Sequence, residues 1–149
     1  TTEIYTLSLH DALPILYELT QDIYSCVMKL WKETGITNPA RADSFESIQH
    51  SLENTGTLIL AKEADILVGA VWVNHDFRRL YIHHMAVSPN KQNTGIGKAL
   101  LREALLIAKQ TGYQAKLEVH KDNPAARHLY QSMGFSDLDG YITMIKRDL

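Results

Sequence analysis

Apolar positions along the chain follow two spacings, one helical and one extended, and the switches between them mark its elements. Residues 15–19 read as a short strand. Thr20 then caps a helix to about Lys32, with Ile23, Val27, Leu30 and Trp31 on one face. Residues 34–42 form a loop containing Gly35 and Pro39. Asp43 is placed to cap a second helix, with Glu46 at the capping-box position. Phe45, Ile48 and Leu52 are its buried stripe, and Asn54-Thr55-Gly56 stops it. Strands follow over 57–62, 66–74 and 80–87, joined by connections short enough for antiparallel hairpins. In the last of these, alternation puts Tyr81, His83 and Met85 on one face and Ile82, His84 and Ala86 on the other. A helix over 96–110 ends at Thr111-Gly112. A strand over 115–120, a helix begun by Asn123 and a last strand over 141–147 complete the order, with a further short strand near Ser136 as an option. The order β-α-α-β-β-β-α-β-α-β predicts a single α/β (α+β) domain, a mixed, mostly antiparallel central sheet with helices on both faces.

Composition narrows the function classes. A chain of 149 residues at 45% hydrophobic can bury a full core. No apolar run approaches the ~18–20 residues that span a bilayer, so no membrane partner is expected. The net charge of −2 gives no electrostatic case for nucleic acid. The single cysteine, Cys26, excludes an intramolecular disulfide and an all-cysteine metal site, and its apolar helix suggests a core position. No secretory segment is evident, and a cytoplasmic setting is expected.

The chemistry concentrates in Gln92-Asn93-Thr94-Gly95-Ile96-Gly97-Lys98, between an apolar strand with its Ser88-Pro89-Asn90 breaker and a helix. A strand, a glycine loop and a helix N-terminus make an anion site, because the first helical N–H groups lack internal partners and carry partial positive charge. A phosphorylated ligand is implied. A Walker A loop would need glycine at Gln92 and Ser or Thr at Ala99, and a dinucleotide fingerprint a third glycine at Leu100; neither holds. A second block, Asn123-Pro124-Ala125-Ala126-Arg127-His128-Leu129-Tyr130 followed by Gln131-Ser132-Met133-Gly134-Phe135, reads as a capped amphipathic helix. Asn123 is its N-cap, Pro124 its first residue and Gly134 its stop.

Gln-x-x-Gly-x-Gly after Met85-Ala86-Val87-Ser88-Pro89 resembles the acetyl-CoA loop of the GNAT acetyltransferase superfamily. The second block resembles the family's Asn-x-x-Ala-x-x-x-Tyr-x-x-x-Gly-Phe signature, in the same order. The run from Asn74-His75-Asp76-Phe77-Arg78-Arg79 to Val87 resembles small bacterial YpeA-like and RimI-like members, with Asn74 and Phe77 standing where that pattern has glycines.

The resemblance implies an N-acetyltransferase with acetyl-CoA as donor and a primary amine of a small molecule or peptide as acceptor, attacking directly in a ternary complex. A monomer or homodimer would serve. The implied cofactor contacts are Met85, Ala86 and Val87, whose strand pairs with the pantetheine arm, and Gln92, Asn93, Thr94, Gly95, Ile96, Gly97 and Lys98 at the pyrophosphate. Gln92 replaces the commoner arginine. Asn123 is a further contact, and Tyr130 matches both a cofactor contact and the general acid. The Met85 N–H could polarise the thioester carbonyl. The base is open between His83, the position of the catalytic histidine in serotonin acetyltransferases, and Glu118, the position of the glutamate base in RimI-type peptide acetyltransferases. A non-catalytic acyl-CoA-binding sensor is the alternative class, and a nucleotide-phosphate binder is disfavoured by the missing Walker residues.

The family's opening strand and helix match residues 15–20 and Leu30-Trp31 without a gap, so the domain is expected over 15–149. Residues 1–14 are expected to be a non-native or disordered extension, since Tyr5 to Pro14 resembles translated sequencing-adapter reads; a genuine edge strand is the alternative. His75, Asp76, His83, His84 and His120 lack helical His-x-x-x-His spacing, and no metal site is expected.

Overall fold

The computed structural model describes residues 3–8 and 18–147. The chain divides into two compact units, Thr1–Glu118 and Val119–Leu149. The first unit is a five-stranded sheet in the order β1-β2-β3-β4-β5. Its strands are β1 (Glu3–Ser8), β2 (Gly56–Glu63), β3 (Ile66–His75), β4 (Arg79–Val87) and β5 (Gln114–Leu117). The hairpins β2–β3 and β3–β4 are antiparallel, as their short connections dictate, while β1 on β2 and β5 on β4 are parallel.

The amino terminus departs from expectation. Residues 3–8, which the sequence reading sets outside the domain, form the edge strand β1 on β2. Ile4, Tyr5, Thr6 and Leu7 are β-favouring types, and an edge of β2 offers unpaired N–H and C=O groups to receive them. The strand expected over 15–19 falls partly outside the described residues, and Glu18 and Leu19 are not in a strand.

Two helices cover one face of the sheet. Helix α1 (Gln21–Glu33) starts as expected, with the Thr20 hydroxyl accepting the Ile23 N–H at 3.2 Å. It buries Val27, Leu30 and Trp31. Helix α2 (Phe45–Asn54) buries Ile48 and Leu52 but is capped by Ser44, which accepts the Ser47 N–H at 3.1 Å. The expected cap, Asp43, instead turns its carboxylate inward to His84. These helices share a core with Leu58, Leu60, Ala70 and Ala86. Each such buried aliphatic side chain larger than alanine stabilises the fold by roughly 1.5–3 kcal/mol. Cys26, expected in this core, is exposed.

Helix α3 (Ile96–Thr111) lies on the opposite face and buries Leu100, Leu101 and Ala104. Its close seat requires Gly69, where a Cβ would come within 2.9 Å of Ile96 Cγ2 and Leu100 Cδ1. The second unit contains α4 (Pro124–Ser132). The strand expected over 141–147 does not form, nor does one near Ser136. Tyr141, Ile142, Met144 and Ile145 are exposed. Alternation supplies a buried face for a strand, but a strand also needs a ladder partner, and among the described residues this segment pairs with none. No described helix is long and apolar enough to cross a membrane.

Candidate functional site

Strand β4 carries the site, and its pairing changes along its length. β5 pairs with it only from Arg79 to Ile82. Beyond that point the β5-side edge of β4 is unpaired among the described residues. The Ser88 N–H donates to the Val68 carbonyl at 2.8 Å, on the β3 side. Strand alternation then directs Ala86 toward β3, and the main-chain groups of Met85 and Val87 toward the unpaired edge. This is a template for an added extended chain bearing amides. The Gln92 side chain reaches back to it, donating to the Val87 carbonyl at 3.2 Å. The side chain of Ala86 is buried in the core instead.

After β4 a single 3-10 turn, Pro89–Lys91, leads into the glycine loop. Asn93 (φ 61°) and Gly95 (φ 92°) are both left-handed, and at Gly95 any side chain would be strained. Thr94 braces the loop by donating to the Lys91 carbonyl at 2.5 Å, and Lys91 pairs with Glu63 of the β2–β3 hairpin. Gly95 is the N-cap of α3, and no side chain caps it. The first helical amide to find an acceptor is that of Ala99, on the Gly95 carbonyl at 3.0 Å. Among the described residues the Ile96, Gly97 and Lys98 amides have no partner. They add to the helix dipole at a point where the backbone is accessible, the arrangement that holds phosphate. These residues therefore fit the pyrophosphate of an acyl-CoA.

The middle of β4 is irregular. Trp72 pairs with His84 and Val73 with Ile82, so His83 is the extra residue of a β-bulge. A bulge leaves two residues opposite one and breaks the alternation. The expected faces are thereby corrected. His83 and His84 both lie against Trp72, with ring centroids 5.3 and 5.6 Å away. Tyr81 stacks on His83 at 6.2 Å and is on the same side. Ile82, two residues before His84, is buried on the opposite face with Val73.

The two histidines meet different surroundings. His84 is buried and its Nε2 lies 3.0 Å from Asp43 Oδ2, while Trp31 stands edge-on at 4.6 Å. Among the described residues its Nδ1 has no hydrogen-bond partner. His83 reaches the surface, and its Nε2 lies 2.7 Å from Asn74 Oδ1. Desolvation by the crowded surroundings holds the His83 pKa below its ordinary 6.5. The neighbouring His84 acts in the same direction, and Glu118 and Asp43 oppose it. Glu118, the other candidate base, follows the end of β5 and is exposed; it is thus near enough to His83 to act on it electrostatically.

In the second unit the Asn123 side chain accepts the Ala126 N–H at 3.1 Å, so the expected N-cap is present. Arg127 pairs with Asp137 across the turn that follows α4. Tyr130 is buried, its ring 5.9 Å from Phe135 in a T-shaped contact. Burial pushes its phenol pKa above the ordinary 10.0, so the hydroxyl keeps its proton at neutral pH.

Residues missed by sequence reasoning are Trp72, Asn74 and Asp43. Their roles depend on the bulge and on a contact between residues 41 positions apart, and neither leaves a local pattern. Among the described residues no three His, Cys, Asp or Glu are grouped to hold a metal ion.

Residues 14–135 match the model of the acetyltransferase (GNAT) family. The chain is 36% identical over 83 residues to a mycothiol acetyltransferase of Actinosynnema mirum, a match covering 54% of this chain and 28% of that protein. It is 48% identical over 54 residues to the N-alpha-acetyltransferase RimI of Mycobacterium tuberculosis, covering 36% of this chain and 33% of that one. The chain thus spans a third or less of the length of these curated relatives. A GNAT family acetyltransferase of Elizabethkingia anophelis, solved with acetyl-CoA bound, superposes with a TM-score of 0.56 at 32% identity, over 66% of this chain and 65% of that one.

Proposed function

Because the chain belongs to the GNAT acetyltransferase family, we propose that it is an acetyl-CoA-dependent N-acetyltransferase acting on a primary amine of a small molecule or peptide. The observation that carries this reading is the unpaired edge of β4 leading directly into the partnerless amides of Ile96, Gly97 and Lys98. Acetyl-CoA supplies a thioester whose acyl carbon is attacked by the amine, forming the C–N bond as the C–S bond breaks. Met85 and Val87 bind the pantetheine arm through their main chain, the Met85 N–H polarises the acyl oxygen, and residues 92–98 hold the pyrophosphate. Asn123 is a further cofactor contact.

Tyr130 donates a proton to the departing thiolate as general acid. Its raised pKa keeps the proton available, though transfer to a thiolate whose conjugate acid lies near ~8.5 is uphill. On the amine side His83 is favoured over Glu118 as base. Its lowered pKa leaves the imidazole neutral at pH 7, and its ring edge is held by Asn74.

The test is a panel of amines with acetyl-CoA, read by release of free thiol. Turnover of any amine supports the reading, whereas CoA binding without turnover would favour a non-catalytic acyl-CoA sensor. On the best acceptor, kcat/KM should fall as pH drops below about 6.5 and His83 takes up a proton. His83→Ala should remove that limb and Glu118→Gln should keep it. The opposite result would transfer the role to Glu118.

A further inference from the structure

The bulge in β4 brings together groups that the transferase chemistry as described above does not use. The His83 imidazole stands between Trp72 (5.3 Å) and Tyr81 (6.2 Å), which fix the plane of the ring. The Tyr81 hydroxyl is tied in turn to Asp76 Oδ2 at 3.4 Å. The ring edge is fixed by Asn74, the cross-strand partner of Tyr81, whose Oδ1 lies 2.7 Å from Nε2. That distance is at the short end for an N–H···O bond. Among the described residues His83 Nδ1 has no hydrogen-bond partner.

We propose that Asn74 is a positioning residue for the acceptor half of the reaction: its side-chain carbonyl accepts the His83 Nε2–H and leaves Nδ1 as the atom that takes the amine's proton. This rests on the reading of His83 as base. The reason lies in the two protonation states of the ring. A carbonyl acceptor is compatible with both, because Nε2 bears hydrogen in the neutral tautomer and in the imidazolium. An amide N–H₂ turned to Nε2 would instead occupy the basic lone pair and oppose protonation there. With the carbonyl in place, an N–H bond of the acceptor ammonium breaks and its proton moves to Nδ1. The electron pair stays on the amine nitrogen for attack, and the Nε2–H bond to Asn74 becomes charge-assisted. His83 later returns the proton to solvent.

The charged and titratable groups acting on the ring are distributed around it. His84 and Tyr81 come from β4, Asp43 from the segment before α2, and Glu118 from the end of β5. Asp76 and Lys116 act on Tyr81 rather than on His83 directly. Asn74 is uncharged, so it orients the ring without drawing its pKa upward as a carboxylate would.

The deciding measurement is ¹⁵N NMR of the His83 ring in the full chain, with Asn74→Leu and Asn74→Asp alongside. In the wild type the neutral ring should carry its hydrogen on Nε2. Asn74→Leu should give a mixture of tautomers and lower kcat about tenfold, with KM for acetyl-CoA unchanged. Asn74→Asp should keep the Nε2–H tautomer, restore most of kcat and move the acidic limb of the pH–rate profile to higher pH. A wild-type neutral ring protonated on Nδ1 would overturn the proposal. So would an Asn74→Leu variant with unchanged tautomer and pH profile. Should Asn74→Leu fail to fold, the wild-type tautomer and Asn74→Asp still decide. An absence of thiol release from the wild type would remove the transferase reading, but the tautomer measurement would judge the Asn74 contact independently.

Discussion

Under the proposed function, β4 offers its main chain to the donor from Met85 to Val87 and its side chains to the acceptor from Tyr81 to His84. The first stretch and the loop after it present main-chain groups, among them the Ile96, Gly97 and Lys98 amides, which have no partner among the described residues. The second is built of two imidazoles, an indole, a phenol and a carboxamide, brought to one face by a single extra residue. A backbone site tolerates divergence, so it suits a donor common to a whole family. A side-chain site changes with each substitution, so it suits an acceptor that differs from one member to the next.

The largest expected effect breaks the backbone half. Gly97→Glu puts bulk and negative charge among the partnerless amides and should abolish CoA binding. In the wild type, CoA at about 100 times its Kd should stabilise by about 2.7 kcal/mol, a rise in Tm of several degrees for a chain of this size. A variant that keeps this rise would show that the loop does not hold the anion. Next comes Tyr130→Phe, which keeps the ring and removes the hydroxyl. It should lower kcat about 10²-fold while leaving the CoA-induced shift intact, since the lost bond belongs to the transition state. Full kcat in this variant would end the general-acid role. Because burial raises the Tyr130 pKa above 10.0, the wild-type rate should lose this contribution only above that pH, as the phenol ionises.

The side-chain half is sharpened by smaller changes. Asp43→Ala leaves His84 buried without its carboxylate and should cost about 2–3 kcal/mol in urea unfolding, with little change in the CoA shift. An unchanged midpoint would mean that the pair contributes nothing to stability. The smallest effect is expected from deleting Thr1 to Pro14. β1 is separated from β4 by two intervening strands, so the CoA shift should be the same in the shortened chain. Its loss would tie the amino terminus to the site.

Local chemistry was readable wherever one residue acts on its near neighbours. The caps at Thr20 and Asn123, the N-terminus of α3 and the hairpins all follow from side chains or turns a few residues apart. Misreadings occur where a distant residue competes. Ser44 caps α2 because His84 takes Asp43, and residues 141–147 have a strand's composition without a strand's partner.

Sequence alone determined the order of elements from α1 to α4, the glycine loop at residues 92–98 before α3 and the resemblance to an acetyltransferase, because spacing, glycine and the orphan amides of a helix act over one or two turns. Only the tertiary structure decided what surrounds the histidines. The register shift opposite Trp72 depends on how two strands align, and it places His83 beside Asn74 and His84 beside Asp43. Alternation along one strand says which residues should share a face, but the pairing with the next strand decides which of them do.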